Sequence, residues 1–175
     1  NPERFDEPLT VLDPLCGKGT TLYCALGAGY SACGVELDKK EVAEAVAFVK
    51  SYLRNGRFKH SYAQSSITVN KKAAGPVHSF ETAATAEQYK AGETLALKIA
   101  LGDGALAGEF YKKQPADVIV TDLPYGVQHG NDQNRLGKDT LSMMRRLLPL
   151  WKKARRPGGA MALSFNAYTL KRDAL

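Results

Sequence analysis

Leu9-Thr-Val-Leu12, followed by Asp13-Pro-Leu-Cys16-Gly17-Lys-Gly19-Thr20, is the stretch that decides the fold. An apolar run stops at Asp-Pro, which marks a turn, and a glycine-rich loop leads at once into the helical spacing of Leu22, Ala25 and Leu26. Strand, tight loop and helix are therefore expected in that order. Gly27 and Gly29 weaken and then end the helix, and Ser31–Val35 reads as a buried strand closing on Glu36. Asp38 then caps a second helix, with Glu41 three residues on as in a capping box, a stripe of Val42, Val46, Val49 and Leu53, and Asn55-Gly56 as terminator. Strand, helix, strand, helix predicts a parallel sheet.

Outward from this core the alternation lapses, between Arg57 and Leu95. Ser65–Asn70, a turn over 71–76 and Val77–Thr82 are polar and β-leaning, and predict a hairpin inserted into the α/β core. The alternation resumes with Leu95–Leu101, stopping at Gly102-Asp103, and with Val118–Val120, stopping at Thr121-Asp122. A helix over about 138–155 carries the stripe Leu141, Met144, Leu147, Leu148 and Trp151, with a kink expected at Pro149. Pro157-Gly-Gly159 should end it before a fifth strand, Ala160–Phe165. The fold class is α/β: a mostly parallel sheet with flanking helices, a three-layer sandwich with a β-hairpin-like insertion at about 57–95.

The length of 175 residues suits a single domain over 1–175, and the opening on Asn1 without Met suggests a fragment of a longer protein. No stretch approaches the roughly 20 apolar residues of a membrane span, and Asn1-Pro-Glu-Arg-Phe5 is no signal peptide, so no membrane partner and a cytoplasmic location are expected. Cys16, Cys24 and Cys33 have no Cys-x2-Cys spacing, which points to free thiols and no metal. The net charge of +6 is uneven: residues 138–175 hold nine basic and two acidic side chains, leaving −1 for everything before them. A basic end of this kind suggests a polyanionic partner.

Ligands of open parallel sheets sit beyond the carboxyl ends of the strands, and here four of those ends are acidic: Asp13, Glu36, Asp103 and Asp122. A phosphate-binding loop needs Gly-x4-Gly-Lys-Ser/Thr, but Gly19 stands where the hydroxyl belongs and Leu12 where the first glycine belongs. A dinucleotide fingerprint needs a third glycine where Leu22 stands, and Asp13 would face a pyrophosphate. A nucleoside ending in a cationic amino acid fits better. Asp13 can hold its ammonium through the loop or a water, Gly17 and Gly19 admit a close backbone, Glu36 can accept both ribose hydroxyls and Asp103 the adenine amine. S-adenosyl-L-methionine is such a ligand, and Cys16 belongs to the same cofactor-binding loop as a packed small side chain.

Asp13-Pro-Leu-Cys-Gly-Lys-Gly-Thr20, Gly34-Val-Glu36-Leu-Asp38 and Thr121-Asp-Leu-Pro-Tyr-Gly126 together resemble the Rossmann-like class I methyltransferases. More narrowly the chain is similar to the RNA guanine-N2 methylases that are often fused to a THUMP domain. The resemblance runs from Val11 to Phe165 except for the insertion. It implies that Asp122 and the carbonyl of Leu123 accept hydrogen bonds from an exocyclic amine, that Pro124 stiffens the loop and that Tyr125 offers a face on which a base stacks. The implied partner is tRNA or rRNA, bound as substrate. Leu123 departs from the family, which usually has proline there. Alternatives are a DNA adenine-N6 or cytosine-N4 methyltransferase, a protein-glutamine methyltransferase, and a noncatalytic cofactor- or RNA-binding module. Lys18 and His129 read as exposed loop residues, and the Arg145–Arg156 cations as spread around their helix.

Overall fold

The computed structural model describes residues 9–69, 72–111, 116–123 and 133–168. In chain order these form β1 (Thr10–Asp13), α1 (Thr20–Gly27), β2 (Ser31–Glu36), α2 (Lys39–Asn55), β3 (Lys59–Val69) and β4 (Lys72–Ala83). They continue with α3 (Ala86–Ala91), β5 (Leu95–Leu101), a 3-10 turn (Gly104–Leu106), α4 (Ala107–Phe110), β6 (Ala116–Asp122), α5 (Gln133–Ala154) and β7 (Arg155–Ser164). The strands make one sheet in the order β3-β4-β5-β2-β1-β6-β7. β1 pairs in parallel with β2 and β6, β2 with β5, and β6 with β7, while β4 runs antiparallel to both β3 and β5. This mostly parallel, helix-flanked sheet is a Rossmann-like fold.

Its central strands are apolar because both faces are covered. Side chains alternate across a strand, so neighbours in β1 and β2 enter different cores. Val11 and Ala32 pack with Leu22 of α1, with Val42, Val49 and Leu53 of α2, and with Phe80 of β4. Leu12, Cys33 and Val35 pack on the other side with Phe110 of α4 and with Met144, Leu147 and Trp151 of α5. Helices, sheet and helices thus form three layers. Among the described residues, no helix is long and apolar enough to cross a membrane.

The expected hairpin exists, but it is part of the main sheet. Residues Val77–Thr82 of β4 pair antiparallel with Leu95–Ala100 of β5, so the insertion extends the sheet by two strands. The turn expected over 71–76 is also displaced, because β4 already begins at Lys72. Gly75 (φ +133°) lies inside that strand, where a Cβ would collide with the Leu101 carbonyl, and a register shift falls between Ile67 and Thr68 of β3. The glycine marks a close approach between strands, not a reversal of the chain.

Helix ends differ from expectation in instructive ways. Asp38 caps α2 by accepting from Lys40 N (2.6 Å) and Glu41 N (3.3 Å), but its own N–H is taken by Glu36 Oε1 (2.7 Å), not by Glu41. Gly56 is right-handed (φ −74°) and the left-handed residue is Arg57 (φ 55°); Gly56 is needed because a Cβ would strike the Phe58 ring. α5 begins at Gln133, ahead of the expected start, and stays helical on both sides of Pro149. β7 follows it directly: Ala116 pairs with Arg155 and Val118 with Ala160, so Pro157-Gly-Gly159 bulges inside the strand instead of preceding it. α3 was not expected, although Thr85 and Gln88 form a reciprocal capping box at its start.

Candidate active site at the strand ends

β5, β2, β1 and β6 are consecutive in the sheet, so Asp103, Glu36, Asp13 and Asp122 stand at four neighbouring carboxyl ends. At the usual strand spacing they span roughly 15 Å. The sheet order also reverses direction at β1, so the carboxyl ends of β1 and β6 flank the switch point outside which open α/β sheets bind ligands in a crevice.

The glycine loop is fastened from below. Cys16 N donates to Val35 O (3.0 Å) and Gly19 N to Cys16 O (2.7 Å), while Gly17 (φ +50°) and Gly19 (φ +89°) take left-handed conformations that only glycine adopts at low cost. Cys16 is buried over Gly34, where a Cβ would lie 2.7 Å from its sulfur, and burial pushes its thiol pKa well up. It is a packing residue with a protonated thiol. Tyr23 holds the loop from the helix side, its hydroxyl donating to Lys18 O (2.5 Å) with Ala45 O 3.2 Å away. Lys18 turns outward to an exposed ion pair with Glu44 (2.9 Å).

Glu36 is the joint of the site. Its Oε2 accepts from Gly17 N (2.9 Å) and its Oε1 from Asp38 N (2.7 Å), so one half-buried carboxylate fixes both the glycine loop and the start of α2. A carboxylate has about four lone-pair positions, and these two bonds leave acceptor capacity for a further pair of donors. Gly102 N donates to Glu36 O (2.8 Å), which ties the neighbouring strand end to the same residue.

Asp13 is placed differently from the others, at 3% exposure. Its Oδ1 accepts from Thr121 Oγ1 (2.6 Å) and from Leu15 N (3.1 Å). Burial raises its carboxyl above the ordinary 3.8; hydrogen bonds from Thr121, Thr21 and Leu15 pull it down, and the charge of Asp122 pushes it up again. With the side chain this enclosed, its influence on any ligand runs through the loop and β6, which it binds together.

Asp103 is exposed and its Oδ1 accepts from Ala105 N (2.8 Å), capping the 3-10 turn. Gly104 is what lets this turn press against the glycine loop, since a Cβ there would collide with Pro14 O. The turn is held from the far side by Trp151, whose buried Nε1 donates to Gly104 O (3.0 Å). Asp122 is exposed at the end of β6. Leu123 is 1% exposed and donates its N–H to Ser164 O (2.9 Å), a bond that proline at this position could not make. Pro124, Tyr125 and His129 lie outside the described residues.

Sequence reasoning passed over Thr121, Gly104 and the indole of Trp151 as site residues. Thr121 had a visible signal, a hydroxyl immediately before the strand-end aspartate; Gly104 and Trp151 had none, because their contact spans 47 residues. Of the basic residues near the end, Arg156 is paired with the buried Asp117 (3.1 Å) and Arg155 bonds the Gly159 carbonyl, whereas Arg145, Arg146, Lys152 and Lys153 are exposed.

No known protein-family profile and no curated protein matches the sequence. Among solved structures, the chain is similar to the PH0226 protein of Pyrococcus horikoshii OT3, at 13% identity and a TM-score of 0.43 over 93% of this chain and 51% of that one. It spans about half the length of that protein.

Proposed function

We propose that this chain is an S-adenosyl-L-methionine-dependent methyltransferase that methylates an exocyclic amine of a nucleic-acid base, guanine N2 in tRNA or rRNA. The observation that carries the reading is Glu36, a carboxylate that ends an otherwise apolar strand, holds the glycine loop by Gly17 N (2.9 Å), and retains acceptor positions at the mouth of the sheet. A vicinal diol suits those positions.

The donor set fits such a cofactor. Glu36 would hold the ribose hydroxyls, the left-handed Gly17 and Gly19 would let the amino-acid end approach the backbone, and the exposed Asp103 would take the adenine amine. Cys16 contributes the floor of the loop by packing. Four carboxylates around one crevice also disfavour a phosphate-bearing ligand. When bound, the cofactor supplies an electrophilic sulfonium methyl.

The chain's own residues prepare the nucleophile. An aryl amine shares its lone pair with the ring and attacks poorly until hydrogen bonds draw that pair out of conjugation. Asp122 and the carbonyl of Leu123 are the acceptors in this reading, and Leu123 itself is anchored by its buried side chain and its bond to Ser164 O in place of the family's proline. Pro124 and Tyr125 would complete the loop and stack the base. Catalysis then comes mainly from positioning.

Labelled methyl transfer to tRNA, rRNA and duplex DNA, followed by digestion to nucleosides, tests the reading. N2-methylguanosine from an RNA substrate is the expected product. Methylated adenine or cytosine from DNA would replace this substrate with the DNA alternative, and transfer to none of them would remove the assignment.

A further inference from the structure

We propose that the outer flank of α2, continued into the start of β3, binds a single-stranded stretch of RNA beside the catalytic crevice. The choice of RNA over DNA rests on the function proposed above; the surface argument does not.

Tyr23, Phe48, Tyr52 and Phe58 form an unbroken run of ring contacts with centroid separations of 4.5, 6.3 and 5.6 Å. Phe48 and Tyr52 are 51% and 46% exposed, unusual for large rings without a partner. The run starts at the crevice, because Tyr23 is the residue whose hydroxyl holds the glycine loop at Lys18 O. It leads away along the helix, with Phe48 and Tyr52 one turn apart on the same shoulder.

Charge follows the same path. From Ala45 to Val69 the chain carries Lys50, Arg54, Arg57 and Lys59 and no Asp or Glu. Arg54, Arg57 and Lys59 are exposed, and Lys50 lies over the Tyr62 ring at 3.6 Å. At 100° per residue, Lys50 and Arg54 fall on the opposite shoulder of α2 from Phe48 and Tyr52, with the exposed Ala47, Ser51 and Glu44 between them, Glu44 being paired with Lys18. Flat apolar faces on one side and cations on the other match a strand that presents bases along one edge and phosphates along the other. A second copy of this chain fits less well, since pairing this face with itself would oppose Lys50, Arg54, Arg57 and Lys59, while the exposed Glu44 on the same flank is already paired with Lys18.

Fluorescence anisotropy of the full chain, without cofactor, with a labelled unstructured RNA of about a dozen nucleotides reads this directly. The double variant Phe48→Ala/Tyr52→Ala should weaken binding about tenfold or more. The variant Arg54→Glu/Arg57→Glu should also weaken it and flatten the log–log salt dependence by roughly 1.4 units, about 0.7 for each lost phosphate contact on a single strand. Both pairs are exposed, and unchanged thermal melts would confirm that the variants fold. Wild-type affinity and salt slope in both variants would overturn the proposal, as would a dimer that the aromatic variant dissociates without altering RNA affinity. Because no methyl transfer is read, this failure is separate from failure of the proposed activity: ladder-dependent binding without transfer would sink only the latter, and transfer with ladder-independent binding only the former.

Discussion

Glu36 and Asp122 end the strands on either side of β1, yet substituting them should have opposite signatures. Glu36→Ala removes acceptors for a ribose and for Gly17 N and Asp38 N together, so affinity for S-adenosylhomocysteine should fall roughly 10- to 100-fold, since a hydrogen bond to a charged group contributes about 1.5–3 kcal/mol. Equilibrium dialysis checks this. Asp122→Ala leaves the glycine loop intact and should bind the same compound as wild type while turnover drops about 100-fold or more. Asp13 supplies a third test. Its folded-state pKa lies above the ordinary 3.8, so the native state keeps its proton to higher pH than the unfolded chain does. The resulting stability is full below about 3.8 and is lost as pH rises through the raised native value. Denaturant titrations should therefore show Asp13→Asn gaining stability relative to wild type as pH rises above about 4; a constant difference would contradict the assignment. The residue identities at the strand ends were legible because acids are costly additions to apolar strands. Which of them face a ligand was not: burial of Asp13 by Thr121 needs a partner 108 residues away.

At the scale of elements, the hairpin is the part the sequence conceals. Its strands β3 and β4 alternate poorly, with β3 largely exposed, so nothing local says that β4 will join β5. The join has one structural requirement, the close approach of Gly75 to Leu101 O. Gly75→Ala should loosen that edge and destabilise the protein by about 1–3 kcal/mol, with hydrogen exchange rising in 72–101 before the central strands. By contrast, the order β1-α1-β2-α2 was legible almost to the residue, because each helix has a stripe at 3.6-residue spacing and a clear start. The terminus of α2 shows the limit: Asn-Gly correctly predicted a stop, but the left-handed residue is Arg57, since Gly56 is committed to making room for Phe58.

On the scale of the whole molecule, the crevice is shaped from the far layer. Trp151 on α5 is fully buried and reaches Gly104 O, thereby setting the turn that carries Asp103. Trp151→Phe should keep most of the packing, lose that bond and cost about 1–3 kcal/mol, and it should also weaken cofactor binding although it touches no ligand. Thermal denaturation and ligand titration of the same variant separate the two effects. The three-layer order was readable from α/β alternation, whereas this coupling depends on α5 and the 3-10 turn meeting in one core on the same face of the sheet. The proposed function turns on Glu36 and Asp103 holding a zwitterionic sulfonium nucleoside at the mouth of the sheet, with the buried Asp13 fastening the loop and Asp122 facing the amine. Calorimetric titration of the full-length protein with S-adenosyl-L-methionine tests it most directly. Saturable heat that Glu36→Ala shifts to roughly 10- to 100-fold higher concentration and Asp122→Ala preserves is the predicted result; silence with that compound together with saturation by ATP or NADH would contradict the account.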